Sequence, residues 1–146
     1  MSGGAQRSFE FIATRDAVAR ALSRVEASCL EAGFPETDTL RVLLVIEELA
    51  TNTVFHGYAP AAADAPGFAQ EPGRFWIDLT ASPREVVATY SDAAPEFNPT
   101  RTPAPLAERP DQIGGLGLHL VVEATDSLRY SYADGRNRLV LRFQAR

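Results

Sequence analysis

The strongest hydrophobic pattern of the chain lies in residues 42–56, V-L-L-V-I-E-E-L-A-T-N-T-V-F-H, which are followed by Gly57. This stretch is apolar almost all round, and a helix of that kind is buried rather than laid on a surface. The pattern predicts that the helix begins near Thr37 or Asp38, either of which can act as N-cap, and that Gly57 ends it as the C′ residue. We expect the other elements to pack around this helix.

Three polar side chains interrupt the apolar pattern at regular intervals. Glu48, Asn52 and His56 follow one another at i, i+4 spacings and therefore project towards one side of the helix. No position of the helix that could pair with Glu48 holds a cationic residue. A buried carboxylate without a partner is costly, so we expect a metal, a ligand or a distant side chain beside it. A polar pair that is satisfied by the backbone or by another side chain is the alternative interpretation.

Shorter patterns predict the remaining elements. Alternating residues predict strands at 7–13, 74–81, 86–91, 127–132 and 138–143, and helical periodicity predicts helices at 15–32 and 118–124. Thr14 can cap the first of these helices, and residues 82–85 and 133–135 suit hairpin turns. The order predicts an α+β fold, a two-layer sandwich in which helices cover one face of a mixed, largely antiparallel β-sheet.

Two segments lack a regular pattern and are predicted as loops. Residues 58–73 are rich in Ala, Pro and Gly, and residues 95–112 contain five of the ten prolines. A loop as long as the second, inside a compact domain, is usually a lid or a binding loop, and we place this lid at about 93–113. Residues 1–6 are predicted to form a flexible tail before a single domain, 7–146.

Composition narrows the class of protein. The net charge of −5 argues against direct nucleic-acid binding and against binding to anionic membranes. All fourteen basic residues are Arg, which excludes chemistry that needs a Lys. Cys29 is the only cysteine and lies in a helical pattern, which favours a buried small hydrophobic residue over a reactive thiol. The sequence has neither a signal peptide nor a run of transmembrane length, and we expect a cytoplasmic protein.

Three motifs hold residues suited to chemistry. In the first, the Glu48 carboxylate can polarise a hydroxyl or a water, and the Asn52 oxygen is a hard neutral ligand suited to Mg²⁺. In the second, Asp92 ends a predicted strand in S-D-A-A-P-E-F, where it can accept a hydrogen bond from an exocyclic amine such as that of adenine; a turn-forming Asp is the alternative. In the third, G-G-L-G-L at 114–118 leads into a helix, where backbone N–H groups can approach a phosphate.

In this order and spacing, the motifs resemble those of the histidine-kinase-like ATPase superfamily, whose Bergerat ATP-binding fold is shared with gyrase, Hsp90 and MutL. The similarity is greatest to the small anti-sigma-factor serine/threonine kinases of bacterial partner-switching systems. E-E-L-A-T-N-T-V-F-H-G-Y resembles that family's N-box, S-D-A-A-P-E-F-N-P its first glycine box and G-G-L-G-L-H-L-V its second. The resemblance extends over about residues 9–143 and includes the hairpin D-G-R-N-R-L-V-L-R.

The resemblance implies a role for each matching residue. Glu48 would be the general base, Asn52 would be the Mg²⁺ ligand and Asp92 would recognise adenine. His56, at the end of the N-box, would be structural rather than catalytic. The residues that bind ATP would be Asn52, Asp92, Ala94, Gly115, Leu116, Gly117 and Leu118.

Ala94 departs from the family pattern, because the first glycine box normally has Gly two residues after its Asp. A Cβ at this position would crowd the adenine pocket or stiffen the hinge of the lid. Because the chain has no Lys, a cation that reaches phosphate from the lid must be Arg101 or Arg109. This hypothesis would be wrong if substitution of each Arg by Ala left ATP affinity unchanged.

The resemblance therefore implies a homodimeric anti-sigma regulatory factor that uses ATP and Mg²⁺ to phosphorylate a Ser or Thr of an antagonist protein, and that sequesters a sigma factor. One alternative is a nucleotide-binding switch without kinase activity. A second is the catalytic domain of a sensor histidine kinase, although the only histidines are His56 and His119 and no helical hairpin carries a phospho-acceptor. A third is a protein-interaction module that binds no nucleotide.

Overall fold

The structure, a computed structural model, describes residues 4–58, 73–99 and 114–146, and for residues 114–118 only the course of the backbone. Most of the predicted lid and nearly all of the predicted loop 58–73 lie outside these residues. The strands are β1 (Ala5–Ile12), β2 (Arg74–Ala81), β3 (Glu85–Asp92), β4 (Ser127–Ala133) and β5 (Arg136–Gln144). The helices are α1 (Arg15–Glu31), α2 (Glu36–Asn52) and α3 (Gly114–Ala124), and a π-helical turn, Thr53–Gly57, follows α2.

The five strands form one sheet in the order β1-β2-β3-β5-β4. All four pairings between them are antiparallel, so the described sheet has no parallel pair although a mixed one was predicted. The predicted α+β architecture is confirmed: helices pack on one face of the sheet, and α2 lies between α1 and α3. Alternation along the strands turns the apolar residues towards the helices and most polar residues towards the opposite, outer face.

The core lies between the sheet and the three helices. Its largest fully buried side chains are Phe75, Ile77, Leu79, Val86, Leu141 and Phe143 from the strands, and Val25, Val42, Val45, Ile46 and Val121 from the helices. Burial of each such side chain contributes roughly 1.5–3 kcal/mol relative to an exposed position. Cys29 is also fully buried, as predicted, and burial raises the pKa of its thiol to about 12, which keeps it protonated and unreactive.

The start of α2 differs from the prediction. The N-cap is Pro35, which offers no side-chain hydrogen bond, and neither Thr37 nor Asp38 caps the helix. Asp38 is instead buried in the first turn, where its Oδ1 lies 3.1 Å from Arg41 NH2 and its Oδ2 accepts a hydrogen bond from the backbone N–H of Arg146 at 3.0 Å. The tertiary partners therefore take the carboxylate away from the capping position.

The solvent-facing side of α2 is less buried than its sequence suggested. Leu40 and Leu44 are 59% and 39% exposed, because the sheet, α1 and α3 cover three sides of the helix and leave the fourth open. Glu48 is half-buried rather than buried. The predicted cost of a fully buried charge therefore does not apply in full.

The end of α2 also differs from the prediction that Glu48, Asn52 and His56 share one side of the helix. From Thr53 onwards the backbone forms a π-helical turn, in which the Tyr58 N–H bonds to the Thr53 oxygen at 3.3 Å. The wider turn shifts later side chains out of the α-helical phase. His56 is consequently exposed and does not continue the side of the helix that carries Glu48 and Asn52.

The remaining boundaries agree with the predictions to within a few residues. Thr14 caps α1 and accepts a hydrogen bond from the Ala17 N–H, as predicted. β1 begins at Ala5, inside the predicted tail, and α3 begins at Gly114, so the glycines predicted to precede this helix form its first turn. Asp134 and Gly135 join β4 to β5 with φ of 55° and 75°, the left-handed pair that a type I′ turn requires. Within the described ranges, no helix is long and apolar enough to cross a membrane.

Candidate functional site

The candidate site is built around the carboxylate of Asp92 at the end of β3. The side chain is only 8% exposed and is held at both oxygens. Its Oδ2 accepts a hydrogen bond from Thr53 Oγ1 at 2.7 Å. Its Oδ1 accepts from Asn137 Nδ2 at 2.9 Å and from the Ala94 N–H at 3.2 Å. Since a carboxylate has about four acceptor positions, the described residues occupy three of them and leave one on Oδ2.

Thr53 joins the end of α2 to this carboxylate through a short chain of hydroxyl groups. Its Oγ1 lies 2.6 Å from the hydroxyl of Tyr90, a buried residue of β3. Burial raises the pKa of Tyr90 well above its ordinary value, so the phenol keeps its proton and can donate. A hydroxyl has one proton, and the charged acceptor is the stronger one, so Tyr90 donates to Thr53 and Thr53 donates to Asp92. This order fixes the orientation of the carboxylate.

Asn137 at the start of β5 holds Asp92 from the other side. The two residues face each other in the register between β3 and β5, and both point towards the helices. The Asn137 Nδ2 group also bonds to the backbone oxygens of Ala94 at 3.0 Å and Pro95 at 3.1 Å. Its Oδ1 accepts from the Phe97 N–H at 2.9 Å and from a Tyr130 hydroxyl. One buried amide thus determines the path of the chain as it leaves β3.

The methyl group of Ala94 lies against the backbone of Gly57. Ala94 is 3% exposed, and a Cβ added to Gly57 would lie 3.0 Å from the Ala94 Cβ, closer than side chains normally approach. The missing side chain at Gly57 therefore provides the space that Ala94 fills. The structure thus places Ala94, the position where the resemblance would have Gly, in contact with Gly57.

Tyr58 links β2 to the residue that follows β3, beside the site. Its hydroxyl accepts a hydrogen bond from the Ala93 N–H at 2.7 Å and donates to the backbone oxygen of Arg74. Its ring lies over Gly73, where an added Cβ would come within 2.4 Å of ring atoms. Burial raises the pKa of this phenol as well, which preserves its role as a donor.

Glu48 and Asn52 lie on α2 next to this arrangement. Asn52 immediately precedes Thr53, and Glu48 is one helical turn earlier. Both side chains are half-buried, and no side chain or backbone group of the described ranges forms a hydrogen bond or an ion pair with either of them. A partly desolvated carboxylate and amide, with no partner in the described part of the chain, are suited to bind a ligand or ion.

The other predicted site residues cannot be placed in the same detail. Gly115, Leu116, Gly117 and Leu118 belong to the first turns of α3, which packs against α2, but the structure describes only their backbone course. Arg101 and Arg109 lie outside the described residues. Of the predicted site residues, the structure therefore places Asp92 and Ala94 against the residues that follow α2. Asn52 is the last residue of α2, and Glu48 lies one turn earlier.

The described side chains could hold Mg²⁺ only together with a bound ligand that supplies further oxygen atoms. In the part of the chain that the structure describes, no group of three or more His, Cys, Asp or Glu side chains could hold a metal ion. Mg²⁺ usually takes a few protein oxygens and completes its shell with substrate phosphates and water. The amide oxygen of Asn52, which has no partner among the described residues, could supply the protein's part of that requirement.

Four residues of this site were missed by sequence reasoning: Thr53, Tyr58, Tyr90 and Asn137. Asn137 and Tyr90 had a usable signal, because each is a polar residue at an inward position of an otherwise apolar alternation. Thr53 had a weaker one, its position beside Asn52. Tyr58 had none, since its contacts depend on strands distant in sequence.

Comparison with known proteins identifies the family and the fold. The family model of the histidine kinase-like ATPase domain matches residues 11–143. No curated protein matches the chain. The crystal structure of the RsbU and RsbW domains of Rv1364c from Mycobacterium tuberculosis covers 94% of this chain at 17% identity with a TM-score of 0.56, and the match spans 32% of that longer chain. The match to the crystal structure of the SiaB-SiaC complex from Pseudomonas aeruginosa covers 94% of this chain and 88% of the matched chain, at 15% identity and with a TM-score of 0.55.

At these identities the two structures establish a shared fold. The family model covers far more than half of the chain, and it includes α2, the end of β3 and the hairpin that carries Asn137. The protein therefore belongs to the histidine kinase-like ATPase domain family.

Proposed function

We propose that this protein binds ATP and Mg²⁺ beside α2 and acts as an anti-sigma regulatory factor that phosphorylates a Ser or Thr of an antagonist protein and sequesters a sigma factor. The observation that supports it most is the Asp92 carboxylate, which is held at both oxygens and keeps one acceptor position on Oδ2. The exocyclic amine of adenine is a donor that suits such a position. A preorganised acceptor costs little reorganisation when the ligand binds.

The residues on α2 are assigned to the phosphate end of the nucleotide. Asn52 would hold Mg²⁺ through its amide oxygen, and bound Mg²⁺ would offset the charge of the transferred phosphoryl group. Gly115, Leu116, Gly117 and Leu118 would offer backbone N–H groups at the start of α3, where the helix dipole favours an anion. Arg101 and Arg109 are the candidates for a cation that reaches phosphate from the lid.

Glu48 would act as the general base. It would take the proton of the partner's hydroxyl while that oxygen forms a bond to the γ-phosphorus of ATP and the bond between this phosphorus and ADP breaks. The carboxylate is half-buried and, within the described residues, has no ion pair that would compete for the proton. The products are a phosphorylated partner, ADP and a proton on Glu48.

The two structural relatives favour a function that involves protein partners. One of them is a complex of SiaB with SiaC, and the other combines an RsbW domain with an RsbU domain. The motif resemblance supplies the particular partners that we assign to this chain: an antagonist protein that is phosphorylated, a sigma factor that is sequestered and a second copy in a homodimer.

Calorimetric titration with ATP and Mg²⁺ tests the binding part of the proposal. The wild type is expected to bind, and Asn52→Ala is expected to weaken binding roughly tenfold or more while Thr51→Ala, its neighbour on α2, is expected to bind as the wild type does. Equal affinity of Asn52→Ala and the wild type would contradict the role of Asn52. Failure of the wild type to bind any adenine nucleotide would contradict the whole proposal and favour the interaction module.

Transfer of labelled γ-phosphate to a purified antagonist domain tests the catalytic part. Loss of a general base typically costs 10²–10⁴-fold in rate, so Glu48→Gln is expected to lower transfer by about that factor with ATP affinity unchanged. Glu47→Gln is the matched control, because Glu47 is the adjacent carboxylate and is exposed on α2. Normal ATP binding without transfer by the wild type would favour a nucleotide-dependent switch without kinase activity, in which Ala94 against Gly57 limits movement of the segment after β3.

A further inference from the structure

The outer face of the sheet carries a groove that the proposed function does not use. It has a volume of about 530 Å³ and crosses the four strands β2, β3, β5 and β4. It is lined by two acidic, two basic and four small residues: Asp78, Asp134, Arg136, Arg138, Thr89, Ser91, Ser131 and Ala133. We call it the outer groove. Because side chains alternate along each strand, the outer groove and the Asp92 carboxylate lie on opposite faces of the sheet.

Arg136 is held in place at one wall of the outer groove. Its guanidinium lies over the ring of Trp76 on β2, 3.8 Å from the ring centroid. Trp76 is itself fixed, since its indole N–H donates to Glu10 Oε1 at 2.8 Å, and Glu10 Oε2 accepts from Arg74 at 2.8 Å. Stacking uses the face of the guanidinium and leaves its N–H edge free to bind an anion.

Arg138 places a second cation two residues further along β5, on the same face. In the register its neighbours are Ser91 on β3 and Ser131 on β4, so hydroxyl groups flank it on both sides. No carboxylate of the described ranges lies within ion-pair distance of Arg138 or Arg136. Arg142 on the same face differs, because Glu85 Oε2 lies 2.7 Å from its Nε. Arg136 and Arg138 are therefore two neighbouring cations that have no ion pair within the described residues.

The composition of the outer groove selects the kind of ligand. Two guanidinium groups with flanking hydroxyls match carboxylates, which Arg can bind through two parallel hydrogen bonds. Asp78 on β2 and Asp134 in the turn between β4 and β5 also line the groove, and each repels an anion near it. A bound anion is therefore restricted to the two guanidinium groups on β5. A long polyanion such as a nucleic acid would extend beyond the groove over a protein that carries a net charge of −5.

We propose that the outer groove binds an extended acidic segment of a partner protein, with Arg136 and Arg138 contacting its Asp or Glu side chains. The two Arg side chains repeat at i, i+2 on one strand, which is also the spacing of side chains on one side of an extended peptide. The exposed hydroxyl of Ser131 is available to the peptide backbone, whereas Ser91 is buried at the floor of the groove. This interaction does not require nucleotide, so the peptide should bind whether or not the protein binds ATP.

The test uses the full chain and a decapeptide of alternating Glu and Ser, with a decapeptide of alternating Gln and Ser as the neutral control. Trp76 is the only tryptophan, so its emission reports directly on the stack with Arg136. The acidic peptide is expected to change this emission, and the affinity from that titration should equal the affinity from anisotropy of a fluorescein-labelled copy. Binding should weaken as salt is raised.

Variants locate the site. Arg138→Gln is expected to weaken peptide binding roughly tenfold, because one charge-assisted contact is lost. Arg142→Gln, on the same strand and face but already paired with Glu85, is expected to stay within about twofold of the wild type. Both side chains are exposed, and urea unfolding and ATP titration of each variant verify that the fold and the inner site are unchanged.

Four results would overturn the proposal. The first is equal binding of the neutral peptide, and the second is unchanged affinity in Arg138→Gln. The third is tighter binding of a single-stranded oligonucleotide than of the acidic peptide, which would identify a nucleic-acid site. The fourth is loss of self-association in Arg138→Gln by sedimentation, which would identify the groove as an interface between two copies of this chain.

Discussion

At the scale of single residues, the site consists of polar side chains at inward positions of an apolar sheet face. Asp92 and Asn137 each stand at the end of a strand whose other inward residues are hydrophobic. Such groups are tolerated only when they are hydrogen-bonded, and here each satisfies the other. The pair is therefore both a structural unit and the means by which Asp92 is oriented.

Replacement of Asn137 by Ala tests how much the Asp92–Asn137 pair contributes to the stability of the protein. It leaves the Asp92 Oδ1, two backbone oxygens and the Phe97 N–H without their partner. Each buried polar group that loses its partner costs about 1–3 kcal/mol, and several do so here, so the free energy of unfolding in urea should fall by at least about 1–3 kcal/mol. Ser131→Ala, an exposed position on the adjacent strand, is the control and should change it by less than about 0.5 kcal/mol. A similarly small change in Asn137→Ala would show that the network is not structurally important.

At the scale of elements, the site depends on how the end of α2 meets the end of β3. The π-helical turn Thr53–Gly57 brings Thr53 to Asp92 and Gly57 to Ala94. A π-turn inside a helix is uncommon and often occurs at functional sites. The turn also ends the run of side chains shared by Glu48 and Asn52, so the predicted continuation to His56 does not occur.

The contact between Gly57 and Ala94 can be tested by a double-mutant cycle. Gly57→Ala should destabilise the wild type, because the new Cβ would lie 3.0 Å from that of Ala94. In an Ala94→Gly background the same substitution should cost less, and residues in direct contact typically couple by about 0.5–3 kcal/mol. The measurement is urea unfolding of the wild type, both single variants and the double variant. Additive free energies would show that the two residues do not share the space.

At the scale of the whole molecule, one cluster connects α2, α3 and the C-terminal end of the sheet. Arg41 on α2 donates to the backbone oxygens of Ala124 at 2.8 Å and Gln144 at 2.7 Å. Its NH1 also lies 3.5 Å from Asp126, which follows α3. The hydrogen bond from the Gln144 N–H lowers the pKa of Asp126, and the charges of Arg41 and Arg146 add to this effect.

This lowered pKa predicts how stability depends on pH. A carboxyl whose pKa is lower in the folded state stabilises the protein above its unfolded pKa of about 3.9, and the contribution is lost as the pH falls through the folded value. The stability difference between the wild type and Asp126→Asn should therefore be largest near neutral pH and should shrink below about pH 4. Urea unfolding at a series of pH values measures it. Asp134→Asn, at an exposed turn, serves as control, and a pH-independent difference for Asp126→Asn would contradict the assignment.

The two faces of the sheet give the molecule two separate surfaces. The inner face presents Asp92 beside α2, and the outer face presents Arg136 and Arg138. A single strand, β5, contributes to both, through Asn137 on one side and its two Arg neighbours on the other. Local spacing predicts this alternation, but only the sheet order brings Trp76 from β2 under Arg136.

The sequence by itself determined the elements of this protein, since hydrophobic periodicity, Thr14 as a cap and the Asp134-Gly135 turn act through neighbours in the chain. It also determined the family, because the motifs around Asn52 and Asp92 keep their order and spacing. The tertiary structure alone decided that Asp38 pairs rather than caps, that Glu48 is half-buried, and that Thr53 and Asn137 hold Asp92. These outcomes depend on contacts between residues that lie up to 108 positions apart, and strand register and helix packing, which local patterns do not encode, determine which of those contacts form.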